Sequence, residues 1–112
     1  MPPATLLNQA DPHLAALKSL ALALMKRGRD TGLEAELTAA GTYDMGNKLD
    51  MSRGKLYQAI RDGDRSGALA WLNAVELAVE SAVAVIPNTE TSAVEAVKGI
   101  RRLLETPRRL HG

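Results

Sequence analysis

Residues 67–86 read GALAWLNAVELAVESAVAVI, and after Asn73 the only polar side chains in the run are Glu76, Glu80 and Ser81. At helical spacing such a run is apolar round most of its circumference, and a helix of that kind does not leave a whole side in water in a small protein. It predicts a helix from about 65 to 86 that packs both against its own subunit and against a second copy. Trp71, Leu72, Val75, Val79, Val83 and Ile86 are the candidate interface residues. With aromatics at 3% and no Phe, the core has to be built from Leu, Val, Ile, Met and Ala. Aliphatic cores suit the ridges and grooves of packed helices better than a sheet rich in aromatic and β-branched residues. A chain of 112 residues has room for one such core. The expected fold is therefore all-α, with a helix-turn-helix unit and long helices forming an oligomerising bundle.

The remaining punctuation divides the chain as follows. Residues 1–11 hold two prolines and no periodicity and are expected to form a flexible arm. Asp11-Pro12 reads as a helix start, Asp as cap and Pro in the first turn. Leu14, Leu17, Leu20, Ala21 and Leu24 then mark one side of a helix over about 12–29. Thr31 and Glu34 form a candidate capping box for a short helix ending at Gly41. Pro87-Asn88 ends the long helix. Ser92 with Glu95 is a second capping box, after which Ala93, Val97, Ile100 and Leu104 stripe a last helix until Pro107. The expected organisation is a single all-α domain over 12–106, with dimerisation helices at 65–106 and a basic tail at 107–112.

Residues 42–63, TYDMGNKLDMSRGKLYQAIRDG, read as a helix-turn-helix. Two short helical patterns flank a tight connection at Asp50 and Met51. Gly46 is small where the two helices would come closest, Met45 and Leu49 face inward, and Met51 plugs the turn. Leu56, Ala59 and Ile60 form the inner face of the second helix, Ser52 caps it, and Gly63 can stop it in a left-handed conformation. In this reading Ser52, Arg53, Tyr57, Gln58 and Arg61 face a DNA major groove. Thr42, Asn47 and Lys55 are candidates for phosphate contacts that set register.

The run LDMSRGKLYQAIRDGD resembles the helix-turn-helix family of phage repressors, resolvases and other small bacterial regulators. It departs from the family at Asp50, where a Gly is usual, and at Gly46, where Ala is commoner. The resemblance covers about 24 of the 112 residues and implies sequence-specific binding of double-stranded DNA by a small repressor-like regulator, acting as a homodimer or higher oligomer.

A second reading takes the whole chain as an oligomeric four-helix bundle, with helices at 12–29, 33–62, 65–86 and 92–106. The stretch ALAWLNAVELAVESAVAV followed by GIRRLLE resembles the last two helices of a small bacterial four-helix-bundle family tied to ribosomal RNA intervening sequences and diversity-generating retroelements. That resemblance implies a non-catalytic scaffold whose basic ends touch RNA or a protein partner. Against it stand the glycines at 41, 46, 54 and 63, each costing about 1 kcal/mol relative to Ala inside a helix.

Charge separates these readings only weakly. The net charge is +1, far from the strongly basic balance usual for a DNA-binding module. Residues 66–100 carry four acids and only Lys98, whereas 101–112 carry Arg101, Arg102, Arg108 and Arg109 against Glu105 alone. Catalysis and metal binding find no support. His13 and His111 stand near opposite ends of the chain, each without a second ligand at metal spacing, and there is no Cys. Glu76 and Glu80 share a helix face and read as a polar seam beside a helix interface. No phosphate-cradling glycine loop is present. The expectation is a protein that is not an enzyme and holds no cofactor and no metal. No apolar stretch approaches membrane-spanning length and the start lacks the pattern of a signal peptide, so a soluble, cytoplasmic location without membrane contact is expected.

Overall fold

The computed structural model describes residues 3–30, 36–84 and 90–105, with side chains described within 4–28, 41–84 and 92–105. These residues form helices α1 (Pro3–Asp30), α2 (Glu36–Arg61), α3 (Arg65–Val83) and α4 (Glu90–Glu105), and no strand occurs among them. The expected all-α class is what the chain adopts. Helix α1 packs on α2 and α4, and α3 packs on α2 and α4, so the four helices stand at the corners of a square. The short links between successive helices require neighbours to run antiparallel.

Each helix buries a stripe spaced alternately three and four residues apart. In α1 the stripe is Ala10, Leu14, Leu17, Ala21 and Leu24. In α3 it is Ala68, Leu72, Val75, Val79 and Ala82, and in α4 it is Ala93, Val97, Ile100 and Leu104. A period near 3.5 keeps the stripe facing the same neighbours along a gently supercoiled bundle. The core is aliphatic throughout, as the shortage of aromatics required.

The main correction concerns α2. No turn occurs at Asp50 and Met51: Glu36–Arg61 is one helix of 26 residues, and among the described residues none other than Gly has positive φ. The described residues follow the order of four helices, with α1 starting nine residues before the expected 12, and α2 is not divided into two short helices. Thr42, Gly46, Leu49, Leu56 and Ile60 are all buried, and Arg53, at 18% side-chain exposure, completes a stripe with spacings of four and three. Unbroken, that stripe buries Leu49, Leu56 and Ile60 along one side of a single helix. Asp50 accepts from Arg53 at 3.0 Å, one helical turn on. Ser52 lies inside the helix, so it caps nothing.

The amino-terminal boundary also differs. Residues 3–11 continue α1 instead of forming an arm, and Pro12 lies within the helix. Proline there removes one backbone donor and costs about 3 kcal/mol, but Asp11 and Pro12 are on the exposed side while Ala10 is fully buried and Leu6 and Leu7 pack against the core. The burial offsets the interrupted ladder. Ser92 lies two residues inside α4 instead of capping it, and α3 ends at Val83 with Ala84 as its cap. The capping box at Thr31 and Glu34, the stop at Pro87-Asn88, Ile86 and the tail at 107–112 lie outside the described residues.

The α2–α3 connection is built as the sequence suggested. Gly63 has φ 74°. Its N–H donates to the Ile60 carbonyl at 3.1 Å, while that of Asp64 donates to Ala59 at 2.9 Å, the paired closure that a left-handed residue after a helix permits. Asp64 then starts the next helix, its carboxylate accepting from the N–H of Gly67 at 2.9 Å.

Candidate interaction surface

The residues expected to read DNA do not share a face. Thr42 is buried at 5% exposure. Arg53 and Tyr57 are half-buried, Arg53 bound to Asp50 and Tyr57 packed against the core. Ser52 is also half-buried, whereas Asn47, Lys55, Gln58 and Arg61 are exposed. Arg61 pairs with its neighbour Asp62 at 3.3 Å. A recognition helix needs its reading side chains free on one outer face, and here Arg53 and Tyr57 turn inward. The cause is the unbroken stripe of α2, which rotates them toward the core.

The expected oligomer interface is likewise redistributed. Leu72, Val75 and Val79 belong to the protein's own core, at 0%, 0% and 2% exposure, and Val83 packs against it. Trp71 is 39% exposed and Val83 is half-buried. Leu72, Val75 and Val79 lie on the inner side of α3, a side that apolar residues all round the helix leave undecided in the sequence. The 3–4 spacing of the buried residues marks that side, and it also excludes Leu77 from them.

What remains outward is a different apolar set. Leu77 is 65% exposed, Met51 60%, Leu22 51%, Tyr43 40% and Trp71 39%. Four of these five lie on α2 and α3. Met51, expected to plug a turn, instead points into solvent. It lies 12 residues before Gly63 and Leu77 lies 14 residues after it, so the helical rise puts the two within about 3 Å of the same height on neighbouring helices. Around Leu77 the outer side of α3 carries Ala70 and Ala84 together with the polar Ser66, Ser81 and Glu80, all exposed. On α2, Met51 lies between the exposed Lys48 and Lys55, so the exposed apolar side chains of the α2–α3 hairpin are set among polar and charged ones.

The opposite edge of α3 is polar and engaged. Arg101 of α4 donates at 3.0 Å to both the Asn73 amide oxygen and the Glu76 carboxylate. Glu76 is thus the seam residue the sequence suggested, while Glu80 is exposed. Arg65, at the start of α3, donates to the Leu104 carbonyl in the last turn of α4. Arg61, Arg65, Arg101 and Arg102 consequently gather at one end of the bundle, with Asp62, Asp64 and Glu105 among them. His13 is half-buried in α1 with its imidazole seated over Gly99 of α4.

Among the described residues no group of three or more acidic or histidine side chains is placed to hold a metal ion, and no helix is long and apolar enough to cross a membrane. Compared with models of protein families, with curated proteins and with solved structures, the chain matches none.

Proposed function

We propose that the chain is a non-catalytic scaffold: a four-helix bundle that associates with copies of itself through the outer side of α2 and α3 and presents its arginine-rich end to an RNA or protein partner. The observation that carries this reading is the exposure of Leu77 and Met51, 65% and 60%, level with one another on adjacent helices. Single exposed apolar residues are ordinary on a protein surface, but Met51, Tyr43, Trp71 and Leu77 all fall on one hairpin, and several large exposed apolar side chains on one part of a small protein support a surface that meets another protein. The continuity of α2 and the inward course of Arg53 and Tyr57 remove the geometry on which major-groove reading depended. The same helix order is what the resemblance of the α3–α4 region to the bacterial four-helix-bundle family implies.

Selection of the wild-type protein against a pool of random duplexes tests this reading against DNA recognition. The scaffold enriches no sequence, and Arg53→Ala lowers its melting temperature by breaking the contact with Asp50. Enrichment of one duplex, lost in Arg53→Ala without a change in melting, would instead restore sequence-specific DNA binding.

A further inference from the structure

We draw no further inference here: the strongest candidate, the surface patch formed by the exposed Leu22 on α1 and Tyr43 on α2, carries nothing because nothing in the structure shows what covers it.

Discussion

Gly46 of α2 lies so close to Ala21 of α1 that a Cβ built on it would stand 2.6 Å from the Ala21 carbonyl oxygen. Leu24 Cβ and Met25 Cγ would each be 2.9 Å away. The close approach expected between two short helices of a DNA-reading unit is in fact the approach of α2 to α1, with glycine allowing the backbones to meet.

Replacing Gly46 therefore has the opposite sign from replacing the open glycines of the same helix. Gly46→Ala should destabilise by about 1–3 kcal/mol, the usual cost of forcing atoms into a packed interface. Gly41 and Gly54 have nothing within 4 Å of a built Cβ, so Gly41→Ala and Gly54→Ala should each stabilise by about 0.5–1 kcal/mol through helix propensity. Urea denaturation of the three variants measures this. A stabilising Gly46→Ala would mean that α1 and α2 do not approach so closely.

The cap at Asp64 predicts coupling between two residues. Asp64→Ala removes the side chain that accepts from Gly67 and should cost about 1 kcal/mol. A Cβ at Gly67 would overlap the same carboxylate, so Gly67→Ala gains helix propensity of about 1 kcal/mol while disturbing the cap, leaving little net change. In the Asp64→Ala background there is no cap to disturb, and Gly67→Ala should stabilise by the full propensity gain. A double-mutant cycle reads the difference; additive effects would show that the two residues do not act through one hydrogen bond.

Arg65 ties the start of α3 to the end of α4. Its guanidinium satisfies the Leu104 carbonyl, one of the terminal acceptors that a helix cannot satisfy internally. Hydrogen bonds with a charged partner contribute about 1.5–3 kcal/mol, and a cation at the first turn of α3 opposes that helix's dipole by about 0.3–1 kcal/mol. Arg65→Ala should thus destabilise by about 1 kcal/mol overall, with hydrogen exchange accelerating most in residues 101–105 of α4. Unchanged protection there would remove the tether from the account.

The sequence made some of this legible and concealed the rest for identifiable reasons. The helical class followed from an aliphatic, Phe-free composition, and the α2–α3 turn from Gly63. The continuity of α2 was concealed because three members of its buried stripe, Thr42, Gly46 and Arg53, are not large apolar residues, so the stripe read as two fragments around Asp50. The true start of α1 was concealed because Pro12 normally ends or starts a helix, and only the burial of Ala10 with Leu6 and Leu7 shows why this one runs through it. On α3 the difficulty was reversed: apolar residues on nearly every side left the inner face undecided. Of the glycines that argued against a bundle, Gly63 makes a turn and Gly46 a close contact, while nothing in the structure explains Gly41 and Gly54.

The inner and outer sides of α3 separate stability from assembly. Val79→Glu places an uncompensated carboxylate in the core and should destabilise by about 3–5 kcal/mol, so any loss of association in that variant reports unfolding. Leu77→Glu changes an exposed position, and its far-UV circular dichroism and melting temperature at low concentration should match the wild type's. The most direct test is the mass of wild type and Leu77→Glu by sedimentation equilibrium over a wide concentration range. The account predicts a wild-type mass above the 12.0 kDa of one chain, falling on dilution, and a folded Leu77→Glu at one chain's mass throughout. A wild type that stays at one chain's mass at every concentration, or a folded Leu77→Glu that assembles as the wild type does, would contradict it.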